Sequence, residues 1–386
     1  MSVTYETALR ELYALAGRGI EPGLGRVRAA LSPEALRLRV VHVAGTNGKG
    51  SVCRMIESGL PGVRTGLFTS PHLHRLTERI RVQGREIAPD ELAARWSSLP
   101  ATSDLTFFEA VTVMALEHFA AVGVELAILE TGLGGRLDAT NVFSAPIVTA
   151  ITPISLDHQA WLGDDLRAIA REKAGILKPS CPAIVAEQEP AARRVIEQVA
   201  RDIAAPLCWV QSGPCSALPG AHQRVNAGVA LAGLDHLEAA GFAVDRDRAM
   251  TAVQWPGRLE TIELGGTRFV LDGAHNVAAC RALAAHLGEG SRTLIFGVMA
   301  DKSWREMLDV LGPVASRRIY LAPRLSRAAS PDLLASHAPG EVVEDVGGAL
   351  RASTGANEVI VAGSLFLVAD VRARLLGETA DPPIAL

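Results

Sequence analysis

V-H-V-A-G-T-N-G-K-G-S, residues 41–51, is the stretch on which the fold turns: an apolar strand runs directly into a glycine-rich loop that carries one lysine and one hydroxyl. Gly45, Gly48 and Gly50 let the backbone take positive φ and turn its N–H groups inward, the way a loop wraps phosphate oxygens. The apolar M-I-x-x-x-L after Ser51 predicts a helix whose positive N-terminus faces the same anion. Thr46 and Asn47 complete the cradle, Lys49 supplies a point charge and Ser51 a hydroxyl for Mg2+. The pattern departs from G-x-x-x-x-G-K-[ST], with Val43 at the first glycine and Gly50 between lysine and serine, so a strand-to-helix turn of an ordinary α/β protein is the competing reading.

Working outward, strand and helix patterns alternate. Strands are predicted over 66–68, 125–130, 147–151, 183–186 and 207–210, with helices over 5–15, 107–121, 165–177 and 193–203. That alternation predicts a parallel sheet covered by helices. A second set follows Trp255-Pro256-Gly257, with strands over 268–271, 293–296, 318–321 and 358–361 and helices over 278–287, 304–311, 331–337 and 365–375. The Pro-Gly pair makes a joint, and the expected division is 1–255 and 256–386, an α/β protein with a smaller doubly wound second domain.

Composition narrows the function classes. The 386 residues exceed what one core accommodates, and 48% hydrophobic with 21% charged residues is globular. A net charge of -4, from 38 basic and 42 acidic residues, provides no general field for nucleic acid or anionic lipid. The five cysteines (Cys53, Cys181, Cys208, Cys215, Cys280) are far apart and lack C-x-x-C spacing, so neither a disulfide framework nor a zinc knuckle is expected. No basic, apolar, small-residue leader is present, and the charge-poor stretch 139–156 is broken by Pro146 and Pro153. A cytoplasmic, non-membrane protein is expected.

Several polar residues fall at predicted strand ends. Ser70, in T-S-P-H-L, precedes a long polar stretch with Arg75, Arg79 and Arg81, where a solvated loop is the plainer reading of each arginine. Glu130 ends a buried strand beside the turn T-G-L-G-G-R-L-D, a costly place for a carboxylate without a nearby cation. Further on, His158 follows a strand end and Lys173 sits on the next helix; alone, each reads as a structural histidine and a surface lysine. Asp272 and His275 end a strand of the second half, where Asp272 or Asn276 could also serve as a helix cap.

Together these motifs bring a family into view. The chain resembles the folylpolyglutamate synthase and dihydrofolate synthase branch of the Mur ligase superfamily almost from end to end. The resemblance is carried by A-G-T-N-G-K-G-S at 44–51, T-S-P-H-L at 69–73, E-R-I-R-V at 78–82, T-F-F-E at 106–109 and E-T-G-L-G-G-R-L-D-A-T-N at 130–141. It continues through L-D-H at 156–158, R-E-K-A-G-I at 171–176, H-Q-R-V-N-A at 222–227, W-P-G-R-L-E at 255–260, D-G-A-H-N at 272–276, D-K at 301–302 and G-S-L at 363–365.

The resemblance implies a P-loop Mur-ligase central domain, a Rossmann-like C-terminal domain and ATP-dependent joining of an amino acid to a carboxylate. It implies two Mg2+ ions: one held by Ser51, Ser70 and Glu130, the other by His158 and Lys173. A lysine ammonium has no lone pair for a metal, so Lys173 is expected to be carbamylated. Asn226 and Asp272 would contact adenosine, Arg258 the phosphates, Arg79, His275 and Ser364 the incoming L-glutamate, and Phe108 a pterin ring. The implied acceptors are dihydropteroate and reduced folates, or reduced folates alone, and the expected state is a monomer.

Two departures bear on substrate grip: the connection 211–220 is short where relatives carry a longer β-hairpin, and 60–64 is brief. Outside ligation, a P-loop kinase would explain the phosphate loop but leave Lys173, Arg258, Asp272 and His275 without a role. A degenerate, non-catalytic partner would have lost ligands, and none of the matched positions is missing.

Overall fold

The computed structural model describes residues 3–99 and 104–384. Its first sheet has eight strands: β1 (Val40–Ala44), β2 (Thr65–Phe68), β3 (Ile80–Val82), β4 (Arg85–Glu86), β5 (Leu126–Glu130), β6 (Val148–Ile151), β7 (Ala183–Ala186) and β8 (Leu207–Val210). The spatial order is β4-β3-β2-β5-β1-β6-β7-β8, parallel from β2 to β8, with β3 and β4 added antiparallel at one edge. β1 and β5 are buried along their whole length, as near-continuous apolar runs must be when helices cover both faces. One face packs Phe107, Met114 and Phe119 of the helix Phe107–Ala121 against Leu9 and Leu12; the other packs Val52, Met55 and Ile56 of the helix Lys49–Ser58 against Leu234 and Leu237.

Because β1 lies between β5 and β6, the chain leaves it in one direction and returns on the other side. A crevice opens at the carboxyl ends of β1, β5 and β6, where open α/β sheets bind ligands.

The second sheet comprises β9 (Glu260–Leu264), β10 (Thr267–Leu271), β11 (Arg292–Phe296), β12 (Ala315–Tyr320), β13 (Glu341–Val342) and β14 (Glu358–Ala362), in the order β13-β12-β11-β14-β10-β9. All its pairings are parallel except β9 with β10. Trp255-Pro256-Gly257 lies between the two sheets, and Gly273 N–H donates to Gly257 C=O at 2.8 Å. A second crossing is made by the tail. Asp381 accepts from Tyr5 Oη (2.7 Å) and Leu76 N (2.8 Å) and donates its own N–H to His74 O (2.7 Å), while Ile384 is buried in the first domain's core.

The structure corrects the sequence reading in places. The phosphate-loop helix begins at Lys49, so the lysine and serine ride its first turn. The polar stretch after β2 is not all loop: β3 and β4 form a hairpin there, and Arg79 is only 1% exposed. The 18-residue helix His222–Ala239 has no predicted counterpart, because its buried face is made of Asn, Gln, Gly and Ala as much as of large apolar residues. No strand occurs in 211–220. All five cysteines are free, Cys208 and Cys215 exposed and the others buried. No described helix is long and apolar enough to cross a membrane.

Candidate active site

The phosphate loop is shaped by contacts that exclude side chains. Gly48 caps the helix Lys49–Ser58 at φ 90°, and a Cβ there would lie 2.2 Å from Asn226 Oδ1; a Cβ at Gly45 would lie 1.8 Å from Thr152 Oγ1. Gly50 faces the Trp255 indole, with 3.0 Å from its would-be Cβ to Nε1. Thr46 is locked to the β6 end, its N–H donating to Pro153 O and its Oγ1 to Ser155 O. Asn226, from the helix His222–Ala239, donates to Gln223 Oε1, and Gln223 Nε2 in turn reaches Ser51 Oγ at 3.4 Å.

Around this loop sit charges that the protein alone leaves poorly matched. Glu130, at the end of β5, is buried, and burial pushes its carboxyl up against the pull of Lys49, whose Nζ stands 3.9 Å from Oε1. Ser70 N–H donates to Glu130 Oε2 at 3.1 Å. Lys173 is 5% exposed; burial, then the charge of Lys49, pushes its ammonium down to about 7. Its Nζ donates to Gly45 O at 2.8 Å, so this lysine reaches into the phosphate loop and is not on the surface. His158 holds φ 51° at the start of the short helix Gln159–Leu162, a left-handed conformation unusual for a non-glycine residue.

Across the crevice stand the carboxyl ends of the second sheet. Asp272 is buried, accepting from Leu259 N and Ala274 N at 2.9 Å each; burial pushes its carboxyl up, and Arg258 opposes that. Arg258 packs on Gly273, and its charge also acts on Glu130. His275 Nδ1 faces Gly273 O at 2.8 Å, and Ser364 caps the helix Leu365–Leu376; their loops are tied by Gly363 N–H to Ala274 O. Asn276 caps the helix Val277–Leu287 through Ala279 N.

Two sequence-predicted residues lie elsewhere along the wall. Arg79 donates from Nε to His72 Nδ1 at 2.9 Å and lies over Phe107, while its Nη1 is buried without a partner among the described residues. Phe108 rests on Phe68 and on Gly132, where a Cβ would come within 2.5 Å of Cζ.

The sequence reading assigned no role to Asp157 and Lys302, which help to join the two halves. Asp157, after β6, is buried and meets Lys302 Nζ, Asn276 Nδ2 (3.1 Å) and His275 Nε2 (3.3 Å), all from the second domain. Asn47 and Asn276 exchange amide hydrogen bonds at 3.0 and 3.2 Å, linking the phosphate loop to the His275 loop. Asp157 and Lys302 stand within motifs visible in the sequence. Their meeting spans 145 residues, and no local pattern announces it.

Among the described residues no group of three or more His, Cys, Asp or Glu could hold a metal. The available donors are the Ser51 hydroxyl and one buried carboxylate at the mouth of a phosphate loop, and they fit Mg2+, which uses one or two carboxylates and completes its shell with water and substrate phosphate.

Two sheets turning their carboxyl ends toward one another over a phosphate loop define the Mur ligase architecture. Residues 43–206 match the Mur ligase middle domain and residues 257–365 the Mur ligase glutamate ligase domain. The chain is 33% identical to the dihydrofolate synthase/folylpolyglutamate synthase of Bacillus subtilis, over 97% of this chain and 100% of that one. The Escherichia coli protein of the same description is 36% identical over 94% and 93%. A structure of E. coli FolC in complex with DHPP and ADP superposes with a TM-score of 0.86 at 32% identity, covering 97% and 98%. A bifunctional folylpolyglutamate synthase/dihydrofolate synthase with Mn, AMPPNP and L-glutamate bound gives 0.85 at 32%, covering 97% and 100%. This chain belongs to the Mur ligase family, in its dihydrofolate synthase/folylpolyglutamate synthase branch.

Proposed function

We propose that the protein is an ATP-dependent amide ligase that adds L-glutamate to dihydropteroate and to reduced folates. The carrying observation is that Lys49, Ser51 and Glu130 of one sheet face Arg258 and His275 of the other across a single crevice, held together by Asp157. Residues 1–255 form the nucleotide-binding part and 256–386 the glutamate-ligase part of a cytoplasmic monomer.

A carboxylate is a poor electrophile in water. In the proposed reaction an acceptor carboxylate oxygen attacks the γ-phosphorus of ATP, ADP leaves, and the resulting acyl phosphate is attacked by the glutamate amine. Phosphate departs, and the amine loses its proton as the amide forms. The loop from Gly45 to Ser51, with Thr46, Asn47, Gly48, Lys49 and Gly50, holds the phosphates by backbone N–H groups and the Lys49 charge. Asn226 and Asp272 flank the nucleoside, and Arg258 brings a second positive charge to the transferring group, where electrostatics and positioning supply most of the rate.

Two Mg2+ ions, one at Ser51, Ser70 and Glu130 and the other at His158 and Lys173, would neutralise phosphate charge. Lys173 suits that role once its amine has added CO2. Burial holds this amine near 7, far below an ordinary lysine, so neutral amine able to attack CO2 is present at neutral pH, and the carbamate turns the buried lysine into an oxygen donor. Arg79, whose buried Nη1 has no partner among the described residues, would receive the glutamate carboxylates with His275 and Ser364, and Phe108 on Gly132 gives a flat apolar surface for the pterin. The docked second domain excludes water from the acyl phosphate.

The test is incorporation of labelled L-glutamate with Mg-ATP, offering 7,8-dihydropteroate and a reduced folate in parallel while ADP release is followed. Product from both supports the reading; product from folate alone means a chain-extending enzyme. ADP release with no glutamate incorporated on either acceptor overturns the choice of substrate.

A further inference from the structure

The strand that feeds the phosphate loop carries one polar side chain that the proposed reaction does not use. His42, in the middle of β1, is 2% exposed, and its Nε2 lies 2.8 Å from Thr140 Oγ1. Thr140 Oγ1 donates to Asp138 Oδ1 at 2.5 Å, and Thr140 N–H donates to the same oxygen at 3.0 Å. The other oxygen, Asp138 Oδ2, accepts from Gly132 N (2.9 Å) and Leu133 N (2.8 Å).

A hydroxyl has one proton, and here it goes to the carboxylate, so Thr140 must accept from His42. That requires the Nε2–H form of a neutral ring. Burial, followed by the charge of Lys178, holds His42 down to about 3 and keeps it neutral.

The far end of this chain is a surface and not merely a turn. Gly132 lies directly under the Phe108 ring, and the turn that follows is clasped to the Lys173 helix, with Arg136 N–H donating to Glu172 O at 2.8 Å and Gly135 leaving no room for a side chain against Glu172 O and Lys173 O. We propose that His42 is a positioning residue for the acceptor: through Thr140 and Asp138 it fixes the height and tilt of the Gly132–Leu133 peptide on which Phe108 rests, and so sets the shape of the wall that receives a flat heteroaromatic acceptor. His42 touches neither nucleotide nor acceptor. It ties the strand behind the phosphate loop to the acceptor wall, so both parts of the site keep one register. The inference rests on the functional reading above for the identity of the acceptor.

The test separates acceptor from nucleotide. In His42→Leu and in Thr140→Val, which keeps the shape but removes the relay, the KM for 7,8-dihydropteroate is expected to rise about tenfold, with the KM for Mg-ATP within about twofold of wild type. His42→Gln places a donor where Nε2–H stood, and Thr140→Ser restores the hydroxyl; both are expected to return the acceptor KM to within about twofold. The double variant His42→Leu/Thr140→Val should be no worse than either single one, because both break the same chain.

Equal rises in both KM values, or failure of the Gln and Ser variants to recover, would show a general packing role and overturn the inference. A wild-type enzyme that turns over ATP but no pterin acceptor would instead overturn the functional reading.

Discussion

The two sheet edges that face each other across the crevice are built in opposite ways. At the edge of the first sheet, buried charges are left in poor balance: Glu130 is pushed up by burial and Lys173 pushed down, with Lys49 set between them at some distance from each. At the edge of the second sheet the polar side chains are spoken for. Asp272 has both oxygens on backbone N–H groups, Asn276 and Ser364 cap helices, and His275 lies between Gly273 O and Asp157. The contrast teaches a division of labour. Under the proposed function the first edge would receive the ionic ligands, whereas the second, its polar groups already paired, would present Arg258 and His275.

The sharpest way to break that contrast is Lys173→Ala. If the imbalance at the first edge is catalytic, ligation falls by on the order of 10^3-fold, the scale of losing a preorganised electrostatic group, while ADP binding measured by calorimetry stays within about threefold. Full glutamate incorporation in that variant would remove the carbamate from the mechanism.

Next in size is Arg258→Ala, which takes away the guanidinium charge presented by the second edge. The expected loss is about 10^2-fold in kcat with little change in Mg-ATP affinity. A change in affinity alone would make Arg258 a ground-state binding residue.

Behind the first edge, His42 connects charge balance to stability. Its folded-state value lies near 3 against 6.5 when exposed, so between those values the unfolded chain binds a proton that the folded chain does not. Its contribution is therefore complete above pH 6.5 and is lost as pH falls from 6.5 toward 3. Between pH 7 and pH 5 that amounts to about 2 kcal/mol at about 1.4 kcal/mol per pH unit. The groups bearing on the ring are Thr140, with Asp138 beyond it, and the Lys178 cation. Denaturant titrations should show a shallower acid slope in His42→Gln; an unchanged slope would mean that other groups carry it.

The smallest effect, and the one that refines the comparison, is Asp157→Asn. It weakens charge-assisted contacts to Lys302 and His275 by about 1.5 kcal/mol, or roughly tenfold in the KM for glutamate, with Mg-ATP barely changed. Adding Lys302→Met should recover part of it by removing the stranded cation. An equal loss for both substrates would place Asp157 in the first edge's own machinery.

Much of this was legible in the chain of residues, for reasons that differ by element. The parallel strands β1, β5, β6 and β7 announce themselves because burial on both faces demands unbroken apolar runs, and Glu130 stands out because it ends one of them. Helix His222–Ala239 stayed hidden because the groups it buries against the phosphate loop, Gln223 and Asn226, are polar and carry no helical apolar stripe. Arg79 looked solvated because its neighbours in sequence are charged, yet the β3–β4 hairpin folds it under His72 and onto Phe107. Asp157 was part of a recognised motif, but its value lies in partners more than a hundred residues away, and only the packed chain brings them together.

The C-terminal tail has a mechanical consequence. Besides the contacts of Asp157 and Asn47 across the crevice, the second domain is tied to the first at the Trp255-Pro256-Gly257 joint and, through the tail, at the anchor of Asp381 and Ile384 on Tyr5, Leu76 and the first core. A body pinned at one point can tumble in any direction, but one pinned at two has a single axle. If the crevice opens, those two pins would confine the motion to a swing about the line through them, and Arg258 and His275 would return along one arc.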